Sequence, residues 1–276
     1  MKILVNRDLV ERSVILLRQM DKLSKASILE RKGKPTLQSS PKTLTLAQFT
    51  QMLNAGLGFQ LTTHYGKNRH SLLNALCDQY GSDKGEVRPD GHPYPWPSHS
   101  YADYYERLFG HCRHGIMKVF ECGLGTNNPN LASSMKENGK PGASLRVWRD
   151  YFPHAQIYGA DIDRDILFTE ERIRTHYIDQ RDPAAIEAYW QQLGETGFDF
   201  MLDDGLHVFD AGSCLFTHSI QHLAQHGIYV IEDVNPRDLL RYKEFFSKTS
   251  YIVDYVTLFR PNLPLGDNSL IVIRKG

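Results

Sequence analysis

Cysteine is scarce in this chain: Cys77, Cys112, Cys122 and Cys214 are all it has in 276 residues, and no two stand in a CxxC spacing. A chain of this length buries a sizeable core without staples, so a disulfide framework is not needed and reduced thiols are expected. An excess of charge of either sign is also missing, since Lys+Arg and Asp+Glu both count 32. No polyanionic partner such as nucleic acid is implied. No stretch reaches the roughly 18 apolar residues of a membrane span. The N-terminal run is broken by Arg7, Asp8, Glu11 and Arg12 before it attains signal-peptide length. A soluble cytoplasmic protein with neither membrane nor nucleic-acid partner is the expectation. Internal repeats and low-complexity segments are absent as well.

What stands out is the stretch Phe198 to His207, FDFMLDDGLH, in which an apolar run ends abruptly in Asp203, Asp204, a glycine and His207. It reads as a buried strand that delivers polar groups to its C-terminal edge. A second run of this design, Gly227 to Asp233, ends in Glu232 and Asp233. In open α/β sheets ligands bind at that edge, so the first expectation is a metal and acid/base site.

From Ile116 onward short apolar runs alternate with helical patterns. The runs are residues 116–122, 156–162, 173–178, 198–203, 227–232, 251–259 and 269–275. The helix candidates are 144–152, 183–193, 211–224 and 236–246. Such alternation predicts an α/β fold with a mostly parallel sheet and helices on both faces. The last two runs are joined by too few residues for a parallel crossover, so they are expected to pair antiparallel. Before this region, residues 3–31 carry a helical apolar stripe, 32–42 read as a linker, and further helices are expected from Thr45 and from Ser71 to Tyr80. This N-terminal part is read as an interface or lid.

After the first run, FECGLGTNN places Gly123 and Gly125 where the backbone turns tightly and approaches a ligand. The third glycine of the dinucleotide fingerprint is replaced by Asn128, and Glu121 would repel a pyrophosphate while accepting from an ammonium group. A cationic ligand bearing an amino acid is favoured over a dinucleotide. Asp161 ends the second run where a carboxylate binds ribose hydroxyls, and Asp179 and Gln180 follow the third, where an adenine amino group is met.

In order and combination, GSDKG (81–85), HSYADYYERLF (99–109), ECGLGT (121–126), SLRVWRDYFPHAQIYGADI (144–162), DQRDP (179–183), DDGLH (203–207) and IEDV (231–234) resemble class I S-adenosylmethionine-dependent methyltransferases. Within that class they are most similar to the metal-dependent, mycinamicin-type macrolide sugar O-methyltransferases and their cephalosporin-hydroxylase-like relatives. The resemblance implies a Rossmann-like seven-stranded sheet with a C-terminal antiparallel hairpin over residues 81–276; the helical appendage over 1–80 is read from its own residue pattern. It implies that Glu121, Gly123, Asp161, Asp179 and Gln180 line the cofactor pocket, that Asp204, Glu232 and Asp233 hold a divalent cation, and that His207 is the general base. Hard oxygen donors of this kind suit Mg2+, Ca2+ or Mn2+ better than zinc. The chain departs from the macrolide enzymes in its longer segment TNNPNLASSMKENGKPGA and in its N-terminal helices, both of which bear on acceptor choice.

The expected activity is thus O-methylation of a hydroxyl on a sugar or other natural product, with S-adenosylmethionine as donor and Mg2+ as the expected ion. Transfer to a phosphate, carboxylate or phenol, or an accessory cofactor-binding role without turnover, stand as alternatives. A reading in which the paired acids only cap the following helices is also on the table. His218, His222 and His226, at i, i+4 and i+8, read as a solvated helix face rather than a transition-metal site. Apolar faces on the N-terminal helices point to a homo-oligomer.

Overall fold

Each of the seven expected runs forms a strand in the computed structural model, which describes residues 71–85, 94, 96–258 and 266–276 together with the backbone of 62–64. In chain order the elements are β1 (Thr62–His64), α1 (Leu72–Tyr80), α2 (Tyr101–Phe109), β2 (Lys118–Cys122), α3 (Ala143–Tyr151), β3 (Gln156–Asp161) and β4 (Thr169–Glu170). They continue with β5 (Ile173–Tyr177), α4 (Pro183–Leu193), β6 (Phe198–Asp203), α5 (Phe209–Ser219), β7 (Leu223–Ile231), α6 (Pro236–Phe246), β8 (Ile252–Leu258) and β9 (Ser269–Arg274). The helices and linker expected before Ser71 lie outside the described residues.

The strand order is β1-β8-β9-β7-β6-β2-β3-β5-β4. From β7 to β5 all neighbours are parallel. Strand β9 runs antiparallel between β7 and β8, as the short connection requires. Two edge strands are additions to the expected seven: β1 pairs parallel with β8, and β4 pairs antiparallel with β5. One expectation is corrected at the end of α5. The helical pattern of 211–224 stops at Ser219, a single 3-10 turn follows, and Leu223 already belongs to β7. His226 therefore lies on a strand, and the three histidines share no helix face. His222 instead stacks on Trp190 at 4.3 Å, and His218 pairs with Glu187 at 2.8 Å.

Alternate residues of the central strands feed two cores. Phe120, Met201, Tyr229 and Ile231 pack on one face with Ile186, Trp190, Leu215, Phe216, Leu239 and Tyr242. Val119, Phe200, Leu202 and Val230 pack on the other with Leu73, Tyr101, Tyr105, Phe109 and Trp148. Strands covered on both faces read as nearly continuous apolar runs, which is why the sheet was visible in the sequence. Helix α1, with Leu73, Leu76 and Cys77, shares the second core with α2 and α3. Asp182 and Asn235 cap α4 and α6 through their side chains, with Pro183 and Pro236 at the first helical positions.

Because β2, β3, β5, β6 and β7 are parallel, Cys122, Asp161, Tyr177, Asp203 and Ile231 all end at one edge of the sheet. Strand β2 is the turning point of the order, with β3 on one side and β6 on the other. The crevice that such a reversal opens is the usual ligand position in α/β sheets.

Candidate active site

A cavity of about 590 Å³ occupies that crevice, within the range of small-molecule sites. Its wall includes Gly123, Gly125, Asp161, Asp179 and Gln180 on one side and Asp204, His207, Glu232 and Asp233 on the other. Of the ten residues singled out above, Glu121 alone is not in the wall.

The glycine turn is shaped by close backbone approach. Gly123 (φ +97°) lies so near β6 that a β-carbon there would sit 2.0 Å from the Asp204 carbonyl oxygen. At Gly125 (φ +77°) it would sit 1.9 Å from the Met135 sulfur. Asp161 is buried beside this turn, borders the cavity, and accepts from the Leu124 N–H at 2.7 Å and the Asp163 N–H at 2.8 Å. Burial raises its pKa against those hydrogen bonds.

Glu121 is fully buried beneath the turn. Its Oε2 accepts from the Trp148 indole at 2.8 Å, and Oε1 lies 3.5 Å from the Lys84 ammonium. Burial pushes its pKa up to about 7, against the pull of Lys84. Gln180 is likewise committed to the protein: its amide donates to Asp203 at 3.2 Å, and its carbonyl accepts from the Leu206 N–H at 2.7 Å. It thereby holds the loop that carries Asp204 and His207. Asp179 forms a bidentate pair with Arg181 at the rim, at 3.0 and 2.9 Å.

At the other end of the cavity, Asp204, His207 and Asp233 each offer a donor atom within 4.8 Å of the other two. His207 Nε2 stands 3.3 Å from Asp204 Oδ1, and Nδ1 stands 3.5 Å from Asp233 Oδ2. His207 (φ +58°) and Asp233 (φ +52°) both adopt the left-handed conformation, which is uncommon outside glycine and concentrates at functional sites. Against the cost of burial, Asp233, Asp204 and Asp203 hold the His207 imidazolium to a pKa of about 10. Asp204 is half-buried, and Lys84 and His207 keep it ionised well below the ordinary carboxylate range. Burial moves Glu232 the other way, well above its usual value, in spite of Lys84. Asp203 sits behind the site, with its pKa raised by burial to about 6, and its Oδ1 accepts from the Gly205 N–H at 3.2 Å. The capping alternative for these acids fails. Helix α5 begins after Val208 without a side-chain cap, and α6 is capped by Asn235.

Sequence reasoning passed over the groups that hold the acids. Lys84 Nζ donates to Asp204 Oδ2 at 2.6 Å and to Glu232 Oε2. The Tyr105 hydroxyl donates to Glu232 Oε1 at 2.6 Å, the Tyr101 hydroxyl donates to Asp233 Oδ1, and His99 Nδ1 lies 3.3 Å from the same oxygen. A signal was present, since GSDKG and HSYADYYERLF are conspicuous and Tyr101 and Tyr105 are one helical turn apart.

The donor chemistry suits a hard divalent cation, because carboxylate oxygens dominate the cluster, while burial keeps Cys122, which also lines the cavity, a protonated thiol outside it. Asp204, His207 and Asp233 could each offer it one ligand atom. Glu232, however, has both oxygens engaged and is outside the mutually close trio.

No protein-family model matches the chain. Among curated proteins it is 31% identical over 162 residues to the 8-demethyl-8-alpha-L-rhamnosyl tetracenomycin-C 2'-O-methyltransferase of Streptomyces olivaceus, a match covering 59% of this chain and 37% of that protein. To the mycinamicin VI 2''-O-methyltransferase of Micromonospora griseorubida it is 34% identical over 136 residues, covering 49% and 32%. To the demethylmacrocin O-methyltransferase of Streptomyces fradiae it is 34% identical over 164 residues, covering 59% and 36%. The chain thus spans about a third of the length of the curated relatives it matches. Among solved structures, the MycE methyltransferase of mycinamycin biosynthesis, in complex with Mg and SAH, superposes with a TM-score of 0.53 at 23% identity. That superposition covers 83% of this chain and 59% of MycE. The chain therefore has the Rossmann-like methyltransferase fold, a mostly parallel sheet closed by antiparallel C-terminal strands.

Proposed function

We propose that this chain is an S-adenosylmethionine-dependent O-methyltransferase that requires a divalent cation and acts on a sugar hydroxyl of a small-molecule or glycosylated acceptor. One observation carries the reading: a single cavity joins a glycine turn and a strand-end aspartate to a carboxylate and histidine cluster at adjacent strand ends. The similarity to sugar O-methyltransferases supports it.

In this account Gly123 and Gly125 let the cofactor lie against the backbone, Asp161 accepts from its ribose hydroxyls, and Asp179 and Gln180 border the adenine. Glu121, beneath the wall, contributes negative potential to the turn and anchors Trp148 rather than touching the cofactor. Asp204 and Asp233 would hold the cation, with Glu232 as the further oxygen donor. The bound ion, Mg2+ by its preference for hard oxygen ligands, supplies charge that lowers the pKa of an acceptor hydroxyl. His207 takes the hydroxyl proton on its imidazole, and the cavity walls keep nucleophile and methyl donor aligned. A cation held by Asp204 and Asp233 would offset the negative field that otherwise keeps His207 protonated, which would link base function to metal binding. We further place the protein in the cytoplasm as a homo-oligomer; no described helix is long and apolar enough to cross a membrane.

Calorimetric titration with S-adenosylhomocysteine, followed by an acceptor panel of rhamnosylated and other sugar-bearing natural products, tests the reading. Binding with methylated product is expected. Absence of binding rejects the cofactor assignment, and binding without product on any acceptor favours the accessory role.

A further inference from the structure

Lys84, the lysine of GSDKG, is the motif cation at the site, and methyl transfer as proposed above assigns it no task. Its side chain is 4% exposed and lies among carboxylates from three strand ends: Glu121 near the end of β2, Asp204 after β6 and Glu232 after β7. Burial opposes its charge, but Asp204, Glu232 and Glu121 hold the ammonium firmly protonated. A strongly hydrated point charge is buried in this way only where anions replace its water.

The ammonium occupies lone pairs that a metal would need. Asp204 gives Oδ2 to Lys84 and keeps only Oδ1 toward His207. Glu232 gives Oε2 to Lys84 and Oε1 to Tyr105, so neither oxygen is without a partner, and it stands outside the trio formed by Asp204, His207 and Asp233. We propose that Lys84 is the resident counter-cation of this cluster and that a divalent ion must compete with its ammonium for Asp204 and Glu232. Lys84 is then a positioning residue that weakens metal binding and makes occupancy responsive to metal concentration, while it keeps the metal-free carboxylates from repelling one another apart.

The inference rests on the metal reading above, and it differs in sign from a merely structural clamp. Were Lys84 only a clamp, its loss would splay the carboxylates and weaken metal binding. As a competitor, its loss frees two oxygens and removes a like charge beside the ion, so binding tightens.

Mn2+ binding to the full chain, stripped of metal with chelator and followed by electron paramagnetic resonance of free Mn2+, separates the two without any turnover assay. Thermal unfolding of each variant reports folding. Lys84→Met is expected to bind Mn2+ roughly tenfold more tightly or better, the loss of a charge at contact distance being worth at least that much. Lys84→Arg, whose guanidinium grips carboxylates through paired hydrogen bonds, is expected to bind more weakly than wild type. Asp204→Asn should abolish the signal, which ties it to this cluster. Unchanged or weaker binding by folded Lys84→Met overturns the competition while leaving the metal reading intact. If Lys84→Met does not fold, equal or tighter binding by Lys84→Arg overturns it instead. Absence of Mn2+ binding in both wild type and Lys84→Met removes the metal reading as well, whereas binding by Lys84→Met alone supports the competition in its strongest form.

Discussion

Gly123 touches the backbone of Asp204: a β-carbon on the glycine would stand 2.0 Å from the aspartate carbonyl oxygen and 2.8 Å from the Gly205 α-carbon. The turn assigned to the cofactor and the strand end assigned to the metal are thus one packed unit. Gly123→Ala must move the β6 end and also accept a strained φ of +97°. A loss of about 2–4 kcal/mol is expected, together with loss of S-adenosylhomocysteine binding. Denaturant unfolding and calorimetry check the two effects separately.

His207→Ala should reduce turnover by about 10²- to 10⁴-fold, the usual share of a positioned general base. Affinity for S-adenosylhomocysteine should stay within a few-fold, since the imidazole faces Asp204 and Asp233 rather than the glycine turn. Turnover and binding measured side by side decide it, and an unchanged turnover number removes the base assignment.

The pH behaviour of His207 follows from its neighbours. In chelator its imidazolium persists to about pH 10, because the surrounding aspartates outweigh burial. Its folded pKa lies above the unfolded value, so its stabilising contribution is complete below about pH 6.5 and is lost as pH rises toward the folded pKa. Imidazole resonances followed by NMR should show this high titration without metal and a fall toward the ordinary range when Mg2+ is added.

Asn235 tests the scaffold rather than the chemistry. Its Oδ1 accepts from the Arg237 N–H at 3.0 Å and the Asp238 N–H at 3.1 Å at the start of α6. Asn235→Ala should cost about 1 kcal/mol, read as a shift in the denaturant midpoint at constant slope.

What was legible in the chain divides along physical lines. Phe198–Asp203 and Leu223–Ile231 announce themselves as strands because both faces are buried, and their acids fall at one edge because the strands are parallel. Strands β1 and β4 were not anticipated, since three and two residues carry no periodicity. The start of β7 was misread because residues 223–226 continue a helical spacing, while the chain crosses to β6 through a register shift opposite Phe198 and Phe200. At the site, the carboxylates and His207 could be named from strand ends. Their partners could not, because Lys84 and Glu232 are separated by 148 positions and only the fold joins them. Gln180 and Glu121 illustrate a different limit: each lies at the expected strand end, yet their polar atoms serve Leu206, Asp203 and Trp148.

Methyl transfer from labelled S-adenosylmethionine to a sugar-bearing acceptor, measured in excess chelator and again after Mg2+ is restored, tests the central claim most directly. Transfer that vanishes with chelation and returns with Mg2+ is the predicted result. Full activity in excess chelator would contradict it.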